Sequence, residues 1–348
     1  MKALVFNKIQ TVSYETIPDP QIVEPTDVIV RVERCAICGS DLHVFFGREQ
    51  GIDPHTAMGH EFTGEVVDVG HGVRNLRKGD KVMSPFTTSC GKCFYCLRGL
   101  TCRCVNSQLF GWVENGIGLQ GGQSELVRVP FADGTLVKIP EGVSTDEALL
   151  LGDILSTGFF SAKQAGIRAG ETQVVIGCGP VGLMAVVGAI HYGSERLFAI
   201  DTVPERLAMA RRFGATTIDA SKQNAIDEIL EATEGRGADA VMEAVGSGSA
   251  GKLAYDLLRP GGTISVVGVC NDEHMAFSPV QAYNKNITYK VGRCPARSMM
   301  DELVPFVQKK KHEITSIITH RMKLIDGVHG YDIFANKKDN CLKVVLEP

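Results

Sequence analysis

Residues 173–182 read QVVIGCGPVG and decide the fold of the second half of the chain. A short apolar run leads into the spacing G-x-G-x-x-G, formed by Gly177, Gly179 and Gly182. A strand, a glycine-rich turn and a helix in this order predict a dinucleotide-binding turn. The first glycine allows the tight turn, the second lets a pyrophosphate approach the backbone, and the third lets helix and strand pack closely.

The residues after this turn bear on which dinucleotide would bind. The helix that starts at Pro180 and Val181 offers free N–H groups and the positive end of its dipole to phosphates. Asp201 ends the next predicted strand, where a carboxylate can hold an adenosine ribose; the alternative is a solvated turn residue. A 2′-phosphate there would meet like charge, although Arg206 offers a cation nearby. We therefore expect NAD, with NADP as the alternative.

Strands and helices alternate around this turn, and the pattern changes on either side. Repeated β-α-β units predict a parallel, doubly wound sheet. Before about residue 140, short runs with period-2 alternation, such as 27–32 and 64–69, predict a mostly antiparallel barrel or sandwich. Near the end, a helix is predicted over 297–310 and a final strand over 341–346, which we expect to rejoin the first domain.

Composition and charge limit the classes of protein. A length of 348 residues predicts two domains. The chain is 44% hydrophobic and 22% charged with a net charge of −4, which argues against a nucleic-acid-binding surface. The N-terminus has no signal-peptide pattern, and no apolar run approaches the roughly 18–20 residues of a membrane span. We expect a cytoplasmic protein with neither nucleic acid nor membrane as a partner.

Five of the eleven cysteines lie in one short segment, at Cys90, Cys93, Cys96, Cys102 and Cys104. Disulfides are rare in the cytosol, so such a cluster indicates a metal site. The first three together with Cys104 have a spacing that can close tetrahedrally on one Zn²⁺, and an iron–sulfur cluster is the alternative. A four-cysteine zinc site has no open position, so it would brace a loop and do no chemistry. Cys102 is predicted not to be a ligand.

A second set of candidate ligands lies in the stretch 35–70. Cys38 and His60 offer sulfur and imidazole, and Glu61 adds a neighbouring carboxylate. This donor set is typical of a first-row metal, most often zinc. The alternative from these residues alone is a buried cysteine and a core histidine in an ordinary strand–loop–strand.

Three motifs together resemble one known family. The pattern GHExxGxxxxxGxxV is matched by residues 59–73, the cysteine cluster follows it, and the glycine turn comes later. In this order the chain resembles the medium-chain, zinc-dependent alcohol dehydrogenases over essentially its whole length.

The resemblance implies a specific division of the chain. A GroES-like, mostly antiparallel β-barrel catalytic domain is expected over 1–153, with the structural zinc lobe at 90–104. A Rossmann NAD-binding domain is expected over 154–292, and a segment over 293–348 returns to the catalytic domain.

The implied activity is hydride transfer between a primary or secondary alcohol, or the matching aldehyde or ketone, and NAD. The alternative enzyme is a polyol or sugar dehydrogenase of the sorbitol or threonine type. Alternatives from other classes are a catalytically silent zinc- and nucleotide-binding module and a zinc-free, quinone reductase-like protein. The joint presence of Cys38, His60, Asp153, Ser40 and His43 argues against both of these.

The resemblance also implies two zinc ions per chain. Cys38 and His60 map onto two ligands of the catalytic zinc, and Asp153 occupies the third position, where most relatives have cysteine. An aspartate there resembles the bacterial secondary-alcohol dehydrogenases and the glutathione-independent formaldehyde dehydrogenases. Glu61 is expected to support these ligands or to visit the metal during ligand exchange.

Further roles follow from the resemblance alone. Ser40 and His43 match the family's proton relay, and a solvated loop is the alternative reading of His43. Trp112 matches a substrate-pocket position, with the protein core as the alternative. The expected partner is a small alcohol or aldehyde, and the expected assembly is a homotetramer, with a dimer as the alternative. The remaining expected cofactor contacts are Thr157 at the nicotinamide, Val267 and Val269 through backbone, and Arg293 near phosphate or ribose.

Overall fold

The computed structural model describes residues 1–309 and 313–348, and the chain divides into two compact units. Unit 1 comprises Met1–Ser156 together with Pro295–Pro348, so both chain ends belong to it. Unit 2 comprises Thr157–Cys294. The helix Ile154–Ala165 contains the boundary between them.

Unit 1 is built mainly of antiparallel strands around the long strand Val28–Ile37. That strand pairs antiparallel with Phe62–Val69, Leu126–Val129 and Lys343–Glu347. The last of these pairs parallel with Ile318–Lys323, so the chain's end is part of the same sheet. The remaining strands of unit 1 are Lys2–Lys8, Thr11–Thr16, Thr56–Ala57, Lys81–Met83, Trp112–Glu114, Ile117–Leu119 and Val137–Lys138.

Short helices connect these strands. The helix Thr145–Gly152 begins at a capping box in which Ser144 and Glu147 satisfy each other's backbone N–H groups. The helix predicted over 297–310 is found as Ala296–Gln308, and Lys310 lies outside the described residues. The other helices of unit 1 are Asp41–Phe45, Phe94–Leu97, Ala132–Thr135 and Gly327–Ala335, with 3-10 turns at Thr101–Arg103, Ile314–Ile317 and Leu324–Asp326.

Alternating residues of the central strand form the core of unit 1. Val28, Val30 and Val32 are buried on one face, where they pack in a cluster that includes Phe62 and Phe110. The two phenylalanine rings meet edge to face with centroids 5.0 Å apart. This burial supplies most of the free energy that holds the barrel-like sheet together.

Unit 2 contains a parallel sheet whose glycine turn follows the strand Thr172–Ile176. This strand is buried throughout, as expected for a parallel sheet with helices on both faces. The helix Pro180–His191 starts directly after the turn with proline in its first turn. The strands, in spatial order, are Thr216–Asp219, Arg196–Asp201, Thr172–Ile176, Ala238–Glu243, Leu258–Val266 and Thr288–Val291. The other helices are Pro204–Arg212, Ala225–Ala232, Gly248–Leu257 and Pro279–Lys285.

The order of these strands is that of a doubly wound dinucleotide-binding sheet, because chain order reverses beside the strand that precedes the glycine turn. Over the described parts of the chain, no helix combines the length and the apolar character that a membrane span requires.

Candidate metal centres and cofactor site

Cys38, His60 and Asp153 meet at one point in unit 1, with Glu61 beside them. Cys38 follows the strand Val28–Ile37, the histidine and glutamate precede the next strand of the sheet, and Asp153 ends the helix that follows Ser144. One potential ligand atom from each of the four residues lies within 4.8 Å of all the others. Segments far apart in sequence therefore bring their donors together.

The separations fit a tetrahedral metal. Asp153 Oδ2 lies 3.5 Å from Cys38 Sγ and 3.3 Å from His60 Nε2. Tetrahedral bonds of about 2.0–2.3 Å separate their donor atoms by about 3.3–3.8 Å. Burial raises the pKa of the Cys38 thiol to about 11, and the charges of Asp153 and Glu61 add to the rise. A bound cation would stabilise the thiolate form of Cys38 beside these carboxylates. This donor set therefore fits Zn²⁺ in charge as well as in geometry.

The imidazole of His60 is oriented by Asp41. His60 Nδ1 lies 3.2 Å from Asp41 Oδ1, which leaves Nε2 to face the other donors. The second oxygen of Asp41 accepts hydrogen bonds from the backbone N of Cys38, at 2.9 Å, and from Gln123 Nε2, at 3.1 Å. Asp41 is not among the site residues predicted from the sequence. Its position three residues after Cys38 is the signal that could have pointed to it, because a carboxylate at that spacing can reach back to the backbone N–H.

Glu61 is paired with a lysine from the other end of the chain. Lys343 Nζ donates to Glu61 Oε1 at 2.6 Å, and both side chains are fully buried. Burial raises the pKa of Glu61, and the charge of Lys343 opposes that rise. Among the described residues, Glu61 Oε2 has no hydrogen-bond partner. Lys343 is not among the residues predicted from the sequence, although its position inside the apolar run CLKVVL is a signal for a buried cation.

The expected relay residues lie close to this centre in sequence, and Ser40 contacts one of its donors. Ser40 Oγ lies 3.2 Å from His60 Nε2. His43 sits in the helix Asp41–Phe45, and its backbone N donates to the Ser40 carbonyl at 3.0 Å. Burial lowers the pKa of His43, and its Nδ1 has no hydrogen-bond partner among the described residues.

Trp112, expected at the substrate pocket, lies in a two-stranded hairpin and packs against the core of unit 1. Its indole Nε1 lies 3.4 Å from Glu114 Oε2. A role in substrate binding stays a prediction.

Cys90, Cys93, Cys96 and Cys104 form a second cluster in unit 1, with their sulfur atoms within 4.8 Å of one another. Backbone N–H groups point at the sulfurs; the Cys90 N–H, for example, donates to Cys104 Sγ at 3.2 Å. Backbone donors at Cys96 and Val105 lower the pKa of Cys93 to about 6. Four thiols with a preformed shell of donors fit a tetrahedral Zn²⁺ with no open position. The remaining nearby cysteine, Cys102, is buried and does not join the cluster.

In unit 2, the glycine turn has the shape that a pyrophosphate needs. Gly177 has a φ of +87°, and a Cβ added at Gly182 would lie 1.7 Å from the carbonyl oxygen of Gly177. A Cβ at Gly179 would approach only Arg206 Nη1, at 3.8 Å. The first and third glycines are therefore required by the backbone, whereas the second faces open space that a ligand can fill.

Asp201 is fixed at the end of the neighbouring strand. Its Oδ2 accepts a hydrogen bond from the backbone N of Cys178 at 2.7 Å, and its Oδ1 accepts from Thr202 and Val203. Arg206 Nη1 lies 3.9 Å from Asp201 Oδ2. The carboxylate and the glycine turn thus share one edge of the sheet, which is where the adenosine half of a dinucleotide binds in this fold.

The other expected cofactor residues also lie in unit 2. Thr157 is buried in the helix Ile154–Ala165, whereas Val269 and Arg293 are exposed. The backbone N of Val267 donates to the Glu243 carbonyl at 3.0 Å. Their contacts with a cofactor stay predictions.

Two family models match the chain. The alcohol dehydrogenase GroES-like domain matches residues 24–141, and the zinc-binding dehydrogenase model matches residues 180–309. Zinc-type alcohol dehydrogenase B of Aspergillus flavus is 43% identical, over 99% of this chain and 80% of its own length. The NADP-dependent isopropanol dehydrogenase of Thermoanaerobacter brockii is 32% identical, over 92% of this chain and 93% of its own.

A solved structure agrees with these matches. The alcohol dehydrogenase TADH from Thermus sp. ATN1 aligns with a TM-score of 0.93 at 36% identity, covering 100% of this chain and 99% of that one. The fold and the matches define an oxidoreductase that acts on alcohols, with a GroES-like part and a Rossmann-like part, as the sequence predicts. The chain belongs to the medium-chain, zinc-dependent alcohol dehydrogenase family.

Proposed function

We propose that the protein transfers a hydride between a small alcohol and NAD at a zinc ion held by Cys38, His60 and Asp153. The observation that carries this proposal is the meeting of three donors in one buried site of unit 1, where Asp153 Oδ2 lies at tetrahedral separations from the other two. Unit 1 would be the catalytic domain, with a second zinc bracing the lobe 90–104. Unit 2 would bind the cofactor through its glycine turn and Asp201.

Ser40 and His43 would accept the proton that the alcohol loses and release it to water. When bound, zinc lowers the pKa of an alcohol oxygen, and the nicotinamide accepts the hydride. Ser40 Oγ, 3.2 Å from His60 Nε2, lies where it can accept that proton. The lowered pKa of His43 keeps its imidazole neutral near pH 7, so that it can take up a proton and release it to water.

NAD is the proposed cofactor because of the charge at Asp201. A 2′-phosphate beside this carboxylate would meet like charge, and the nearby Arg206 is already within 3.9 Å of Asp201 Oδ2. Val267, Val269, Thr157 and Arg293 would complete the cofactor site.

A secondary alcohol is the favoured substrate class. The third donor is an aspartate, as in the secondary-alcohol subgroup that the sequence resembles, and one relative is by name an isopropanol dehydrogenase. Trp112 would line the pocket.

We propose a homotetramer, with a dimer as the alternative. The edge strand of the unit 2 sheet, Thr288–Val291, is exposed along its whole length, and Val291 is 62% exposed. The preceding helix adds Val280 and Tyr283, which are 67% and 81% exposed. An open sheet edge flanked by apolar side chains suits pairing with a second copy of the chain.

The reduced thiols that both metal sites require suit a cytoplasmic location.

One experiment tests the activity and the metal centre together. Initial rates over primary alcohols, secondary alcohols and polyols are measured with NAD⁺ and NADP⁺, before and after chelation, alongside metal content. We expect the fastest turnover with a secondary alcohol and NAD⁺, and its loss on chelation.

Asp153→Asn should lose one zinc per chain and lower kcat by more than about 100-fold, which exceeds the usual cost of an outer-shell change. Asp146→Asn is the matched control, since Asp146 lies on the same helix and pairs instead with Arg321. No turnover by a fully zinc-loaded protein, or an unaffected Asp153→Asn variant, would overturn the proposal.

A further inference from the structure

We infer that Gln123 and Tyr331 are positioning residues for the metal centre: they hold the Asp41 carboxylate, and through it the His60 imidazole, in its metal-binding orientation. The inference rests on the proposed metal centre and extends it by two residues that touch none of the donor atoms. Both residues belong to unit 1, and Tyr331 comes from the segment that follows unit 2 in the chain.

The amide of Gln123 makes three hydrogen bonds, two from its nitrogen and one at its oxygen. Its Nε2 donates to the Ala36 carbonyl at 3.0 Å and to Asp41 Oδ2 at 3.1 Å. Its Oε1 accepts from Tyr331 Oη at 2.9 Å. Both neighbours of Nε2 are acceptors, which fixes the orientation of the amide. Gln123 is fully buried, so water cannot replace any of these bonds.

Asp41 links the Gln123 amide to two of the metal donors. Its Oδ1 faces His60 Nδ1 at 3.2 Å, and its Oδ2 accepts from the Cys38 backbone N at 2.9 Å and from Gln123. One carboxylate thus holds both the imidazole of one ligand and the backbone of another. Rotation of this carboxylate would move both donors, and the Gln123 amide opposes that rotation.

Gln123 also packs on the backbone that presents His60. Gly59 has a φ of +88°, and a Cβ added there would lie 2.4 Å from Gln123 Cγ. The residue directly before His60 must therefore be glycine for Gln123 to fit. This packing is independent of the hydrogen bonds and joins Gln123 to the same ligand.

Tyr331 anchors the far end of the chain of bonds. It lies on the helix Gly327–Ala335 and is 1% exposed. Its ring lies 5.7 Å, centroid to centroid, from that of Phe45. A packed ring leaves the hydroxyl little freedom, so its bond to Gln123 Oε1 fixes the amide that holds Asp41.

The test measures zinc release from the holoprotein to a chromophoric chelator. The variants are Gln123→Met, Tyr331→Phe and the double variant, and Tyr255→Phe is the control. Tyr255 lies in unit 2, and its replacement also removes one hydroxyl hydrogen bond, to the Gln281 carbonyl at 3.2 Å. A Cys38→Ser variant identifies the release phase of the Cys38 centre, and the four-cysteine cluster is the internal reference.

We expect Gln123→Met to speed release from the Cys38 centre by about 10-fold, the lower end of the range for direct partners of metal ligands, because Gln123 acts through Asp41. Tyr331→Phe should speed it by about 2–10-fold, the equivalent of one neutral hydrogen bond. The double variant should match Gln123→Met alone, because Tyr331 acts through Gln123. Release from the four-cysteine cluster should stay unchanged. In the cobalt-substituted protein, the visible spectrum of the Cys38 centre should shift in both single variants.

Additive effects of the two changes, equal acceleration at both metal sites, or unchanged release would overturn the inference in favour of a purely structural role. Tyr331→Phe keeps the ring and removes one oxygen, so it tests the inference even if Gln123→Met does not fold. If the wild-type protein has no release phase that Cys38→Ser lacks, the proposed metal centre itself fails. If that phase exists but the variants leave it unchanged, only the positioning role fails.

Discussion

Replacing Lys343 by methionine should destabilise unit 1 by about 3–5 kcal/mol, because the change leaves a buried carboxylate without its counter-charge. Lys343 and Glu61 are both fully buried. At the proposed metal centre, the Cys38 thiolate and the Asp153 carboxylate would together balance the charge of a divalent metal, which leaves Lys343 as the counter-charge of Glu61.

The magnitude follows from the geometry of the pair. Lys343 Nζ and Glu61 Oε1 are 2.6 Å apart. At an effective dielectric constant of about 20, this separation gives an attraction of about 6 kcal/mol. Burying each ion costs several kcal/mol, so the intact pair contributes little net stability, while loss of one partner exposes the whole cost of the other. The double variant Glu61→Gln/Lys343→Met should therefore lie within about 1 kcal/mol of the wild type.

The effect also has a defined pH dependence. Burial raises the pKa of Glu61, and Lys343 opposes that rise. Without the lysine the folded-state pKa rises further above the unfolded value. The destabilisation that Glu61 causes in Lys343→Met is therefore smallest below the unfolded-state pKa of glutamate, and it grows until pH reaches the folded-state pKa.

Trp112 makes the measurement selective, because it is the only tryptophan and lies in unit 1. Urea unfolding followed by its fluorescence, at matched zinc content, reports on unit 1 without contributions from unit 2. Lys338→Met is the control, since Lys338 is 51% exposed and its pair with Asp332 should contribute at most about 1 kcal/mol. The reasoning fails if Lys343→Met costs no more than this control, or if the double variant is as unstable as the single one.

Three further predictions address the relay, the cofactor and the zinc lobe. Because burial lowers the pKa of His43, the rate of alcohol oxidation should fall only as pH drops below that lowered pKa. The variant His43→Gln should abolish this pH dependence, and an unchanged pH–rate profile would count against the relay. Asp201→Ala should raise kcat/KM for NADP⁺ relative to NAD⁺ by about 10–100-fold, and a constant ratio would contradict the ribose role. Cys93→Ser should lose the lobe zinc and lower the midpoint of thermal unfolding while zinc at the Cys38 centre is retained; metal counts that match the wild type would exclude this.

Local motifs carry much of the fold and part of the site. Gly177, Gly179 and Gly182 are readable because the turn, the strand before it and the helix after it are neighbours in sequence. The cluster from Cys90 to Cys104 is readable for the same reason, since its ligands lie on one loop. Asp153 requires more: its spacing relative to Cys38 and His60 carries no signal, and only the likeness to a known family points to it.

The sequence by itself determined the glycine turn of the parallel-sheet unit and the cysteine cluster, because each depends on residues that are close neighbours in the chain, and the family likeness added Cys38, His60 and Asp153 as candidate ligands. Only the tertiary structure decided what surrounds the ligands. Lys343 meets Glu61 across 282 positions, and Tyr331 meets Gln123 across 208. Lys343 is in place because the strand Lys343–Glu347 pairs with Val28–Ile37, and Tyr331 because the helix Gly327–Ala335 packs on the same sheet. Such pairings follow from burial across the whole unit, which no local spacing encodes.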